Sequence, residues 1–183
     1  GLKVVLSIIG DGSKRKELEN LTIELGLESM IIFLGACRDI PKILSKLDIF
    51  VFSAKEDEGF GIALAEAMVV GIPILASNVG SCLEILDNGN YGKFFKKGDH
   101  KDLALKVLEM SHDSKSIYEK SLKARKYAIK NFSIEKMADA YLRIGDIYYM
   151  TKKDEEAAKY YQDVINLNVG FEDQALYNMS KSY

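Results

Sequence analysis

Apolar residues fall in short, nearly continuous runs over the first hundred positions and in helical stripes thereafter. Val4-Val5-Leu6-Ser7-Ile8-Ile9, Ile31-Ile32-Phe33-Leu34, Asp48-Ile49-Phe50-Val51-Phe52-Ser53, Pro73-Ile74-Leu75-Ala76 and Gly92-Lys93-Phe94-Phe95 each read as a strand, and the first two stop at a glycine. Between them lie amphipathic or apolar helical stretches: Lys14 to Leu25 closed by Gly26, Asp39 to Lys46, and a helix opened by Gly61 that runs to Val70. The segment after Ser77, with Cys82 and Glu84, reads as a loop. Strands that are apolar without alternation predict a parallel sheet covered on both faces, and β-α alternation predicts an α/β architecture. Ligands of such sheets bind beyond the carboxyl ends of the strands. The glycine turns at 10–12, at 35 and at 59–61 all follow strands and are expected there.

From Asp99 onward the pattern is helical: Asp99 to Met110, Lys115 to Asn131, and a helix after Phe132 with Ser133 as its N-cap and Glu135 in its first turn. Tyr141, Ile144, Gly145 and Tyr148 share one helical face, and Leu176, Met179, Ser180 and Tyr183 repeat that spacing thirty-five residues later. With Ala157 and Tyr161 between them, the offset resembles a tetratricopeptide repeat carrying one inserted residue, present as one and a half copies. An ordinary helical hairpin is the alternative. One and a half repeats do not make a stable solenoid. The expected division is therefore a Rossmann-like domain over 1–132, a closing helix over 133–150, and a helical extension over 151–183 that could present a surface to a protein partner.

Composition narrows the function classes. The chain is 48% hydrophobic and 28% charged with a net charge of −2, so no global basic field points to nucleic acid. No apolar run reaches the length of a transmembrane helix. Cys37 and Cys82 stand alone, without metal-ligand spacing, as in a reduced cytoplasmic protein. His100 and His112 sit in polar helical surroundings and read as surface residues. Gly10-Asp11-Gly12-Ser13-Lys14-Arg15 is neither a dinucleotide fingerprint, since Arg15 stands where the third glycine belongs, nor a P-loop.

The strongest chemical signal is Glu58-Gly59-Phe60-Gly61-Ile62-Ala63-Leu64-Ala65-Glu66, two carboxylates with seven residues between them. Alone, Glu56-Asp57-Glu58 would read as a solvated acidic loop. Here the first acid precedes a Gly-x-Gly turn, the turn opens an apolar helix, and Glu66 falls about a turn and a half inside that helix. A glycine-lined helix start offers free amides and a positive dipole end to an anion. Ionised carboxylates on either side accept hydrogen bonds from hydroxyls. An anion flanked by two polyols describes a nucleoside diphosphate sugar.

These residues, together with Ile8-Ile9-Gly10-Asp11-Gly12, Phe33-Leu34-Gly35, Asp48-Ile49-Phe50-Val51, Gly71-Ile72-Pro73-Ile74-Leu75-Ala76-Ser77, Glu84-Ile85-Leu86 and Tyr91-Gly92, resemble the carboxyl-terminal, donor-binding domain of the group 1 retaining glycosyltransferases (glycosyltransferase family 4) over about residues 3–148. The resemblance implies half of a GT-B fold, a Rossmann-like parallel sheet followed by an α-helical tail. It implies a catalytic role for Glu58 on donor-sugar hydroxyls and places the amides of Gly59, Phe60 and Gly61 at the sugar and diphosphate. Glu66 would take the ribose hydroxyls, Gly35 to Cys37 with Asp39 would meet the nucleobase, and Gly10 and Gly12 would shape the neighbouring loop. Glu84 would support the loop after Ser77. No cofactor is implied beyond the donor. With no Asp-x-Asp in the chain, no metal ligands are expected either.

The departures from the family pattern are as informative. The Arg and Lys that neutralise the diphosphate in the family lie on a strand-loop-helix unit upstream of Lys3, and the acceptor-holding amino-terminal domain lies further upstream. The first strand-helix unit is thus expected to be missing. Because that strand is an inner one in the family's sheet, a gap or an altered edge is expected, and the isolated piece is expected to be inactive. Localisation is expected to be cytoplasmic, with any peripheral attachment to the inner membrane face made by other parts of the protein. Two competing readings are a nucleotide-sugar epimerase or phosphorylase of the same architecture and a non-catalytic module that displays the tail.

Overall fold

The computed structural model describes residues 3–56 and 61–181. Five strands and nine helices alternate along the described residues: β1 (Leu6–Ile9), α1 (Arg15–Glu24), β2 (Ile31–Gly35), α2 (Ile40–Leu44), β3 (Phe50–Phe52), α3 (Ile62–Val70), β4 (Ile74–Ser77), α4 (Gly80–Ile85), β5 (Lys93–Phe95), α5 (His100–His112), α6 (Ser114–Asn131), α7 (Ile134–Met150), α8 (Asp154–Leu167) and α9 (Glu172–Met179). They form two compact units, one ending at Leu122 and the other beginning at Lys123, so the division falls inside α6.

In the first unit every strand pair is parallel, as a β-α alternation requires. The strands form two sheets instead of one. β1 pairs with β2 (Leu6 opposite Ile31, Ile8 opposite Phe33), and β3-β4-β5 form the other. Among the described residues no pairing joins the two sheets. The two sheets also differ in cover. Ile74, Leu75, Ala76 and Ser77 of the central strand β4 are all buried, whereas Leu6, Ile32 and Leu34 of the β1-β2 pair remain exposed. The expectation of cover on both faces therefore holds for β4 and fails for β1-β2.

Helix termini follow their sequence signals. Asp99 caps α5 by accepting from the amides of Lys101 and Asp102 at 3.1 and 3.0 Å, and Ser133 caps α7 by accepting from Lys136. Gly71 closes α3 in the left-handed conformation at φ 84°. Leu75, Phe95, Met110 and Ile117 form a core between β4, β5, α5 and the start of α6. The segment holding Cys82 and Glu84 is a correction to the expected loop: it is the helix α4, whose Cys82 and Ile85 are buried. Its six residues are too few to show helical periodicity.

The second unit packs Ala138, Leu142, Ala157, Tyr161, Val164 and Ala175 into one cluster. Gly145 permits the close approach of α7 and α8: a Cβ at that position would lie 2.5 Å from Cε1 of Tyr161. The Tyr161 hydroxyl donates to Asp146 at 2.8 Å, and Asn178 of α9 donates to the same oxygen at 2.9 Å. Burial pushes the Tyr161 hydroxyl above the ordinary tyrosine range, and the bond to Asp146 adds to the shift. The thirty-five-residue echo is uneven, for Tyr141 packs against the cluster while Leu176 is exposed, and Tyr183 lies outside the described residues.

Candidate functional site

The carboxyl ends of the strands hold two groups of the residues singled out from sequence. At the ends of β1 and β2, the Gly10 amide donates to the Gly35 carbonyl at 2.8 Å, which brings the two glycine turns into contact. Gly35 sits at φ 70°, a left-handed conformation open to glycine at little cost. Cys37 lies just beyond, its Sγ 3.6 Å from the Gly35 carbonyl oxygen. Asp39 is the N-cap of α2 and accepts from the Lys42 amide at 3.3 Å, so one carboxylate oxygen is engaged in holding the helix. Gly12 is exposed in the same turn as Gly10.

Arg15, the first residue of α1, stands at this corner too. Its Nε donates to Glu19 at 2.8 Å, Nη1 lies 3.6 Å from Asp11, and the guanidinium carbon is 6.0 Å from the centre of the Phe33 ring. The hydrogen bond to Glu19 and the charges of Glu19 and Asp11 raise its pKa further, outweighing the opposing effect of desolvation.

The second group surrounds the start of α3. Gly61 is buried and left-handed at φ 65°, ψ 58°, and it accepts from the amides of Leu64 and Ala65 at 2.8 and 3.3 Å. The Phe52 ring and Ile85 flank it: a Cβ there would lie 3.5 Å from Phe52 Cε1 and 3.7 Å from Ile85 Cδ1. The helix thus starts tightly against the end of β3. Glu66 is exposed on α3, and Glu84 is exposed on α4. Glu58, Gly59 and Phe60 lie outside the described residues.

Pattern reading missed the brace that holds the chain on its way into that motif. Ser77, fully buried at the end of β4, accepts from the Ala54 amide at 2.9 Å and donates to the Phe52 carbonyl at 3.3 Å. Asn78 accepts from the Lys97 amide at 2.9 Å, and the Lys97 ammonium pairs with Glu56, holding that carboxyl below its ordinary range. The loops after β3, β4 and β5 are therefore tied together. A lone hydroxyl closing an otherwise apolar strand was the one legible sign of Ser77; the Glu56–Lys97 pair spans forty-one positions and had none. Ser77→Ala orphans the buried Ala54 amide, a loss of about 1–3 kcal/mol in denaturant unfolding of the first unit. An unchanged midpoint and slope would remove Ser77 from the brace.

No described hydrogen bond or ion pair joins the Gly10–Gly35 corner to the Gly61 corner. Among the described residues no cluster of His, Cys, Asp and Glu suits a metal ion, and no helix is long and apolar enough to cross a membrane.

Comparison with known proteins bears on the same residues. The family model for glycosyl transferases group 1 matches residues 2–131. Among curated relatives, the N-acetyl-alpha-D-glucosaminyl L-malate synthase of Bacillus anthracis is 27% identical over 154 residues, covering 84% of this chain and 39% of that protein. The UDP-Gal:alpha-D-GlcNAc-diphosphoundecaprenol alpha-1,3-galactosyltransferase of Escherichia coli is 30% identical, over 79% of this chain and 36% of its own length. Among solved structures, Anabaena HepE in complex with UDP and glucose superposes with a TM-score of 0.68 at 27% identity, covering 73% of this chain and 38% of that one. The chain thus spans about two fifths of the length of these relatives.

Proposed function

Because the chain belongs to the group 1 glycosyl transferases, we propose that it forms the donor-binding half of a retaining glycosyltransferase of the GT-B type that takes a uridine diphosphate sugar. The observation that carries this reading is the start of α3: a buried, left-handed Gly61 tight against β3, three positions after Glu58 in the sequence. The Glu58 carboxylate binds donor-sugar hydroxyls. The amides of Gly59, Phe60 and Gly61 take the negative charge that builds on the leaving diphosphate, the kind of stabilisation that fixed backbone dipoles supply without rearrangement. Glu66, which α3 keeps exposed, accepts from the ribose hydroxyls. Gly35 to Cys37, with the free oxygen of Asp39, meets the base, while Gly10 and Gly12 shape the adjoining turn. Glu84 supports the α4 segment from its exposed face. The choice of uridine draws support from the UDP held by HepE and the UDP-galactose in the name of the Escherichia coli relative.

Among the described residues β1 pairs only with β2 and β3 only with β4, and we assign a further parallel strand beside them to polypeptide outside these residues. The same polypeptide supplies the Arg and Lys that complete the diphosphate site, together with an acceptor-holding domain, so this piece alone binds donor without transferring sugar. The second unit is a protein-facing extension of tetratricopeptide type, and the whole works in the cytoplasm, attached to a membrane only through its other parts.

Glu66→Ala in the intact protein tests the nucleotide side of this reading. Loss of hydrogen bonds to a charged acceptor weakens UDP binding roughly tenfold or more while leaving inorganic pyrophosphate unaffected. Calorimetric titration of both ligands decides it, and an unchanged UDP affinity would remove the ribose role.

A further inference from the structure

We propose that Arg15 is a positioning residue that sets the spacing of the two glycine turns and thereby selects the nucleobase of the donor, an inference that rests on the donor-binding reading above. Arg15 begins α1, but its guanidinium reaches across to the end of β2. A Cβ built on Gly35 would lie 3.1 Å from Nη1, so the guanidinium occupies the space that a side chain at 35 would need. Glu19, one helical turn along α1, accepts from the guanidinium at 2.8 Å, Asp11 in the turn after β1 pairs with it at 3.6 Å, and its carbon lies over the Phe33 ring at 6.0 Å. The turn after β2 is therefore tied to the turn after β1 twice, by the main-chain bond from Gly10 to Gly35 and by the side chain of Arg15.

Immediately beyond this double tie are Ala36, Cys37 and Arg38. Among the described residues none accepts a hydrogen bond from their amides, which leaves these donors to solvent or to a ligand. A base edge is read by the register of a few donors and acceptors, and the site rejects a base whose pattern leaves its own polar groups unpaired. Register here depends on how firmly the turn is held. With the turn after β2 packed against a planar guanidinium that two carboxylates orient, the three amides keep one spacing. Lysine cannot substitute, because an ammonium on a flexible stem neither bridges Asp11 and Glu19 in one plane nor fills the flat space above Phe33.

The test measures affinities of the intact protein for UDP, GDP and inorganic pyrophosphate in the wild type and in Arg15→Ala, Arg15→Lys and Gly35→Ala. The expected result is a loss of about tenfold in UDP affinity for Arg15→Ala, equivalent to one modest interaction. The UDP preference over GDP should shrink by a similar factor, with pyrophosphate binding unchanged. Arg15→Lys should behave like Arg15→Ala. Gly35→Ala, which crowds the guanidinium and strains a left-handed position, should lower UDP affinity in the same base-dependent way. A variant that loses UDP and pyrophosphate equally shows a merely structural role and overturns the proposal, as does an unaltered UDP to GDP ratio. Failure of the wild type to bind any of the three ligands overturns the donor-binding reading itself, and this inference with it.

Discussion

Glu58→Ala in the intact protein is expected to lower turnover of a UDP-sugar donor by about 10²-fold or more, the loss that accompanies removal of one interaction made at the reacting centre. The effect should fall on kcat more than on UDP affinity. On the proposed reading Glu58 acts on the sugar, and the nucleoside diphosphate is gripped elsewhere, by the amides from Gly59 to Gly61, by Glu66 and by the turn after β2. UDP affinity within about threefold of wild type is the companion result, a difference of less than 1 kcal/mol. The measurement is UDP release under saturating donor, paired with UDP titration. Unchanged turnover would remove Glu58 from the chemistry, and a wild type that turns over no donor would favour the non-catalytic module. Release of UDP from the donor with no acceptor present, abolished by the same substitution, would instead favour the epimerase-like reading.

The second large effect concerns the second unit. Tyr161 is its largest fully buried side chain, with the backbone of Gly145 against its ring and its hydroxyl on Asp146. Tyr161→Ala removes an aromatic ring from a close-packed interface and should cost about 3–5 kcal/mol. A unit of roughly 60 residues has only about 3–9 kcal/mol of stability to lose, so the variant should forfeit a large share of it and melt at a much lower temperature. Tyr161→Phe keeps the ring and forfeits only the hydrogen bond, a loss of about 0.5–1.5 kcal/mol. Helical circular dichroism on heating separates the two variants. UDP affinity should be unchanged in both, because every residue assigned to donor binding lies before Leu122. A fall in UDP affinity on Tyr161→Ala would make the tail a brace for the donor site and would count against a purely protein-facing role.

Some of this structure could be read directly from the chain and some could not, for different physical reasons. The strands from Ile31 and Ile74 and the helix from Gly61 announced themselves because each signal is local: an apolar run, a glycine that admits a left-handed turn, an unbroken helical stretch. The caps at Asp99 and Ser133 were legible on the same ground, since a cap bonds to amides two or three residues away. α4 was taken for a loop because Asn78 to Glu84 mixes small, polar and apolar residues over fewer than two turns, too short for a period to show. Leu6, Ile32 and Leu34 were expected inside because they are apolar. Their exposure depends on which strands lie alongside, which no local pattern encodes.

The candidate site divides in the same way. Two glutamates at fixed spacing around Gly59 and Gly61 are recognisable because the whole motif is consecutive in the chain, and sequence distance alone sets its order. Arg15 against Gly35, Ser77 against Ala54 and Lys97 against Glu56 join residues twenty or more positions apart. Each of these side chains is ordinary where it stands in the sequence and acquires its role only when parallel strands bring the ends of β1 and β2, or of β3, β4 and β5, side by side. The linear order of residues carries the proposed chemistry of the grip, because short-range geometry is written in neighbouring residues. Which loops hold that grip in register was decided by folding, because the separation of strand ends is a property of the sheet and not of any segment within it.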